Sequence, residues 1–171
     1  MRVGLGYDSH RFEDGRPLVL GGVEIPDHPG LAGHSDGDAV AHAVTDALLG
    51  GAGLGDIGTH FPDDDERWRD ADSIEMLARA VRRIEGENYQ VVNVDVTVVA
   101  AGPRLRPHVD AMREALAEPL RVDPGHVSVK GKSNEGLGWI GSGEGLAVMA
   151  VALLDRIEEP DTLHASIRSG G

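Results

Sequence analysis

Gly33-His34-Ser35-Asp36-Gly37-Asp38-Ala39-Val40-Ala41-His42-Ala43-Val44-Thr45-Asp46-Ala47-Leu48-Leu49-Gly50, running on to Gly55-Asp56-Ile57-Gly58, opens with small and polar residues and then turns amphipathic. Val40, Ala43, Val44, Ala47 and Leu48 fall at helical spacing. Ser35 and Asp38 have the spacing of a capping box, which predicts a helix start near Asp36, and Gly50-Gly51 predict its end. Asp38, His42 and Asp46 stand four apart and so share one helix face. A carboxylate–imidazole–carboxylate stripe is either a solvated polar face or the wall of a site.

The rest of the chain weighs on that choice. With 171 residues it suits a single domain over 1–155, followed by a tail at 156–171 that is expected to be disordered. There is no cysteine, so a tight metal site must use histidine and carboxylate. A net charge of −13 argues against nucleic acid or anionic membranes as partners. No apolar run is long enough to span a bilayer, and Met1-Arg2-Val3-Gly4 enters a strand directly without a signal-peptide pattern, so a cytoplasmic protein is expected.

Outward from the opening stretch, Arg2 to Asp8 alternates Val3, Leu5 and Tyr7 against smaller or polar residues, as a half-buried strand does. Asp8 and His10 follow at its end, two apart and on one face. Residues 17–26 read as a hairpin about Gly21-Gly22, peripheral to any chemistry. Gly53 to Asp65 reads as a loop. Asp72 or Ser73 caps a second helix that buries Ile74, Leu77, Val81 and Ile84. Tyr89 to Ala101 is the clearest strand, with Val92, Val94, Val96 and Val98 on one face and Asn93, Asp95 and Thr97 on the other. A third helix runs from about His108 to Glu118. Val127–Lys130 and Glu144–Leu154 complete the strands. The expected fold is α+β, a mixed sheet with three helices packed on one face and a polar second face suited to self-association.

Asp8, His10 and His42 offer one carboxylate and two imidazoles from two elements, a set that zinc accepts while keeping a position open for substrate oxygen. Asp46, one turn beyond His42, is placed to orient that imidazole. His34 and Ser35 precede a helix N-terminus, which favours phosphate. Glu135 in the Gly131–Gly138 loop suits a harder cation, and Lys132 with Ser133 suits phosphoryl oxygens. Phosphate and two metals point to phosphoryl transfer or hydrolysis.

Gly6-Tyr7-Asp8-Ser9-His10, Gly33-His34-Ser35-Asp36-Gly37-Asp38, His42, Leu54-Gly55-Asp56-Ile57-Gly58, Phe61-Pro62-Asp63, Asn93-Val94-Asp95-Val96-Thr97 and Gly143-Glu144-Gly145 together resemble the 2-C-methyl-D-erythritol 2,4-cyclodiphosphate synthases. The similarity runs in order from about Arg2 to Leu154. It implies conversion of 4-diphosphocytidyl-2-C-methyl-D-erythritol 2-phosphate to the cyclic diphosphate with release of CMP, in the non-mevalonate isoprenoid route. It implies a homotrimer with active sites between subunits and the second sheet face as its interior. By the resemblance Asp8, His10 and His42 hold zinc, and Glu135 holds magnesium or manganese. His34 and Ser133 steady developing charge, and Ser35 contacts the substrate phosphate. Asp56, Gly58 and Asp63 receive the methylerythritol hydroxyls, and Ile57, Phe61 and Asp65 also bind substrate. Ala100, Pro103, Arg104, Leu105, Arg106 and Gly131 enclose cytosine, with Lys132 and Trp139 at the edges of the site. Three departures stand out: Lys132-Ser133-Asn134 where threonines are common, Ser142 in place of a common arginine, and Trp139 in place of another aromatic. A zinc phosphodiesterase and a trimeric nucleotide- or metal-binding module are the competing readings.

Overall fold

The computed structural model describes residues 1–62, 64–68 and 71–157. The expected tail falls almost wholly outside that range, and so does Asp63. Five strands form one mixed sheet in the order β4-β1-β7-β5-β6: β1 (Arg2–Glu13), β4 (Gly30–Leu31), β5 (Tyr89–Val99), β6 (Val127–Lys132) and β7 (Gly145–Arg156). β7 is antiparallel to both β1 and β5, while β5 and β6 run parallel. A hairpin of β2 (Leu18–Leu20) and β3 (Val23–Ile25) stands apart from the sheet. Three long helices, α1 (Ala39–Ala52), α3 (Ser73–Gly86) and α4 (Val109–Leu120), are joined by two single turns, α2 (Ile57–His60) and α5 (Gly138–Gly141). The α+β architecture expected from the pattern is the one observed.

The first strand alternates in the opposite sense to the one expected. Gly4 and Gly6 face α1, and Val3, Leu5 and Tyr7 point away from it, 68%, 69% and 55% exposed. The reason is close packing. A β-carbon on Gly4 would stand 1.8 Å from the carbonyl oxygen of Ala47, and one on Gly6 would stand 1.9 Å from that of Ala43. The small residues of α1, Ala43, Ala47 and Gly51, repeat every four positions and form the matching ridge. β-branched or leucine side chains at these places would hold the helix off the sheet. β7 lies between β1 and β5, and its Leu146, Val148, Ala150, Ala152 and Leu154 are buried under the helices. α3 adds Leu77, Val81 and Ile84 to this core, and α4 adds Met112, Leu116 and Leu120.

Helix α1 begins three residues later than the sequence suggested. Asp38 is its N-cap and accepts from Val40 N and Ala41 N, both at 3.0 Å. Gly53, in the left-handed conformation, ends the helix, and Gly50 and Gly51 lie inside it. Asp38 is fully buried, so it is not part of a polar face. Its carboxylate also accepts from Gly21 N at 2.8 Å and Gly22 N at 2.6 Å. The hairpin is therefore not peripheral: its turn is tied to the start of α1, and Leu18 and Leu20 are fully buried. The 53–65 loop contains α2, capped by Asp56, and β5 carries a register shift at Val92 that takes this valine out of the buried row.

The far face of the sheet combines two textures. Leu5 pairs with Val151 and Tyr7 with Met149, an apolar strip of exposed side chains across β1 and β7. Beside it Asn93, Asp95 and Thr97 on β5 are polar, with Lys130 of β6 donating to Asp95. The face is thus less polar than β5 alone implied, and an exposed apolar strip marks a contact surface more strongly than a polar one.

Candidate metal centre and neighbouring pocket

Asp8 and His10 share the parity of Gly4 and Gly6 and therefore point to the α1 side of β1. They lie in mid-strand, because β1 continues to Glu13. The close approach at Gly6 sets His42, on the first turn of α1, directly opposite. His10 Nε2 is 2.8 Å from Asp8 Oδ2, and His42 Nδ1 is 3.1 Å from the same oxygen. One ligand atom from each of the three residues lies within 4.8 Å of the others. The opposite nitrogens of both rings are occupied: His10 Nδ1 donates to Ala32 O at 2.5 Å, and His42 Nε2 stands 2.9 Å from Ser73 Oγ and 3.1 Å from Ser35 Oγ. With those nitrogens spoken for, His10 Nε2 and His42 Nδ1 both turn to Asp8 Oδ2 and are the atoms that would ligate a cation once it displaces the protons between them. This donor set fits a divalent transition metal that favours imidazole and carboxylate.

The charges respond to that convergence. Burial pushes the Asp8 carboxyl up, but hydrogen bonds from His10 and His42 outweigh it and hold Asp8 well below the usual carboxylate range. Burial pulls His10 down, and the bond to Asp8 more than restores it, so His10 ends above its ordinary value. The proton held between this acid and imidazole is what a cation would replace.

A cavity of about 240 Å³ opens on the triad, lined also by His34, Ser35, Ile57, Gly58, Phe61 and Trp68. His34 Nε2 is buried there without a hydrogen-bond partner among the described residues. Phe61 is buried and meets Trp68 edge-on, ring centroids 4.9 Å apart, so the pair forms an aromatic wall. Arg16 donates to Gly33 O at 2.6 Å and to Ser35 O, which fixes the loop that presents His34 and Ser35. Asp46 does not reach His42. It accepts from Ile57 N at 2.7 Å and so anchors α2 at the cavity rim, and burial pushes its carboxyl up. Asp56 accepts from Thr59 N and Oγ1, and Asp65 pairs with Arg67, both at the exposed edge.

A second cavity, of about 750 Å³, lies at the C-terminal ends of β5 and β6. It gathers Ala100, Pro103, Arg104, Leu105, Arg106, Gly131, Lys132 and Ser133. The Gly102–Pro103 peptide is cis. A β-carbon on Gly131 would stand 3.6 Å from Leu105, so a larger residue would fill the floor of the cavity. Ser133 Oγ donates to Glu135 Oε1 at 2.7 Å, and Glu135 holds a left-handed backbone, φ 49°. The two cavities share no lining residue. Trp139 lines a small cavity with His10, Arg11 and Glu144, and Ser142 Oγ donates to Glu144 at 3.0 Å.

Ser73, Asp36, Arg16 and Trp68 were not singled out by the sequence as members of this region. Ser73 reads as a helix cap and Asp36 as a helix start, and nothing in their spacing points toward His42.

Residues 1–155 match the YgbB family. A 2-C-methyl-D-erythritol 2,4-cyclodiphosphate synthase of Rubrobacter xylanophilus is 60% identical over 158 residues, 91% of this chain and 95% of that protein. Among solved structures, the bifunctional IspDF of Campylobacter jejuni matches with a TM-score of 0.88 at 41% identity, over 91% of this chain and 42% of that longer one. A 2C-methyl-D-erythritol-2,4-cyclodiphosphate synthase in a CDP-bound form matches with a TM-score of 0.83 at 42% identity, over 90% of this chain and 100% of that one.

Proposed function

The chain belongs to the YgbB family, the 2-C-methyl-D-erythritol 2,4-cyclodiphosphate synthases, and from that premise we propose that it converts 4-diphosphocytidyl-2-C-methyl-D-erythritol 2-phosphate to the cyclic 2,4-diphosphate and CMP. The observation that carries this reading is the convergence of Asp8 Oδ2, His10 Nε2 and His42 Nδ1 beside a cavity that also holds His34 and Ser35. The reaction belongs to the non-mevalonate route to isoprenoid precursors, in the cytoplasm.

The reaction needs no protein nucleophile. The substrate's own 2-phosphate attacks its β-phosphorus, the bond to the α-phosphate oxygen breaks in line, and CMP leaves. The chain's task is to fold a flexible polyanion so that nucleophile and electrophile meet. Zinc on Asp8, His10 and His42, with magnesium or manganese on Glu135, would supply Lewis-acid charge to the phosphate oxygens. Ser35 donates to the 2-phosphate, and His34 and Ser133 steady charge as it develops on the transferred phosphorus. Asp56, Ile57, Gly58, Asp63 and Asp65 take the methylerythritol hydroxyls, and the Phe61–Trp68 wall excludes water that would otherwise hydrolyse the diphosphate. The larger cavity takes cytidine: Leu105 and Gly131 form an apolar floor, Ala100 and Pro103 offer backbone groups, and Arg104, Arg106 and Lys132 face the phosphates. Lys132 adds a positive charge that threonine at that position lacks. Trp139 closes the site beside His10.

The active unit is a homotrimer, its interior formed by the apolar strip of Val3, Leu5, Tyr7, Met149 and Val151 with the polar row of β5. The metal cavity of one chain and the nucleotide cavity of its neighbour then make one site, in keeping with two cavities that share no lining residue. Phosphorus NMR of the cytidyl substrate in ¹⁸O-water tests the assignment. A cyclic diphosphate free of solvent oxygen, formed with one CMP, supports it. A linear product carrying ¹⁸O identifies a zinc phosphodiesterase, and binding of CDP without turnover identifies a binding module.

A further inference from the structure

We infer that Ser73, held by Asp36, is a positioning residue that keeps His42 in the one tautomer able to ligate a metal through Nδ1. The inference rests on the metal reading of the triad.

Ser73 is fully buried at the first position of α3, yet it does not cap that helix, because Asp72 accepts from Ile74 N and does so. Its Oγ lies against three groups: Asp36 Oδ1 at hydrogen-bond distance, His42 Nε2 at 2.9 Å and Ser35 Oγ at 3.4 Å. A serine hydroxyl carries a single proton. A carboxylate oxygen accepts, so Ser73 Oγ–H donates to Asp36 Oδ1. The same oxygen can then accept from His42, which holds a ring proton on Nε2 and leaves Nδ1, the nitrogen that faces Asp8, as the one to take a metal. Proton positions along this chain of three groups are thereby fixed by the carboxylate at its end. Asp36 is itself fixed, since Oδ2 accepts from Ser73 N at 3.1 Å and its own N–H donates to Ala71 O.

Ser35 also touches His42 Nε2, at 3.1 Å, but its situation differs. Its oxygen accepts from Gly37 N, and its proton is not committed to a carboxylate. Ser35 has only the long 3.4 Å contact to Ser73 Oγ to give up in turning its hydroxyl to a bound phosphate, while Ser73 retains the imidazole. One hydroxyl serves the ligand and the other serves the metal ligand.

Metal affinity and ring NMR of the full-length protein test this. The native protein, Ser73→Ala and Asp36→Asn are titrated with zinc against a chelator, with oligomer size and circular dichroism as checks on folding. Ser73→Ala is expected to weaken zinc binding roughly 10- to 100-fold. Asp36→Asn, which keeps a hydrogen-bond acceptor and removes the charge, is expected to weaken it less. The ¹⁵N shifts of His42 in the metal-free proteins should show Nε2–H in the native chain and a mixture of tautomers in Ser73→Ala. Native affinity and an unchanged tautomer in a folded Ser73→Ala protein would overturn the inference. A native protein that binds no zinc would instead overturn the metal reading beneath it. Should Ser73→Ala not fold, Asp36→Asn alone decides by the same two measurements.

Discussion

The carbonyl oxygen of Ala43 lies 1.9 Å from the point where a β-carbon on Gly6 would stand. Helix and strand touch there backbone to backbone, two residues before Asp8 on β1 and one residue after His42 on α1. The separation of those two ligands is thus set by the absence of a methyl group. Gly6→Ala must push α1 outward against a packed core. The expected cost is about 3 kcal/mol, a fall in Tm of roughly 10 °C, together with loss of zinc at stoichiometric concentration. Calorimetry and metal analysis of the purified variant check both, and a variant with native Tm and zinc content would show that the contact does not set the site.

The metal-free triad predicts a pH dependence for zinc binding. His10 is raised above its ordinary 6.5, so its contribution to stability is complete below that pH and is lost as pH rises through the raised value. Asp8 is lowered from 3.8, so its contribution is present above 3.8 and is lost as pH falls through the lowered value. Between these limits His10 carries a proton that zinc must displace. Zinc affinity should climb about tenfold per pH unit below the raised His10 value and level off above it. Chelator competition from pH 5.5 to 8 measures this, and a flat profile would contradict the pairing of Asp8 with His10.

Leu5 is 69% exposed and its side chain points away from every helix. A charge there leaves the core untouched but falls in the centre of the proposed trimer interior. Leu5→Glu is expected to sediment as a folded monomer, with activity lost because the proposed site draws on two chains. A trimer that survives the substitution would place the interface elsewhere.

Asp38 receives four backbone N–H groups, two from the hairpin turn and two from α1. Asparagine offers one acceptor oxygen and turns an amide toward donors. Asp38→Asn should cost about 2 kcal/mol by urea unfolding. A change below about 0.5 kcal/mol would mean that the hairpin is held by Leu18 and Leu20 alone.

Much of this was legible in the chain. Helical periodicity found α1, α3 and α4, and the alternation in β5 found its buried row as far as Val94. The Asp8, His10 and His42 set could be read because residue types with metal chemistry recur at spacings that geometry brings together. The sense of β1 was not legible, because alternation reports two faces without saying which is inside. Large residues at Val3, Leu5 and Tyr7 point to burial by size, yet close helix packing put the glycines inward. Asp38 was misplaced because a carboxylate at helical spacing looks the same whether it lines a face or caps an end. Ser73 was missed for a similar reason: its partner His42 is 31 residues away, and a serine at a helix start already has an ordinary explanation.

The central claim is that Asp8 Oδ2, His10 Nε2 and His42 Nδ1 meet on one ion. Anomalous diffraction at the zinc edge, on crystals grown with one equivalent of zinc, tests it most directly. A single peak per chain is expected within bonding distance of those three atoms, absent in crystals of His42→Ala. No peak there in the native protein, or a peak that persists in His42→Ala, would contradict it.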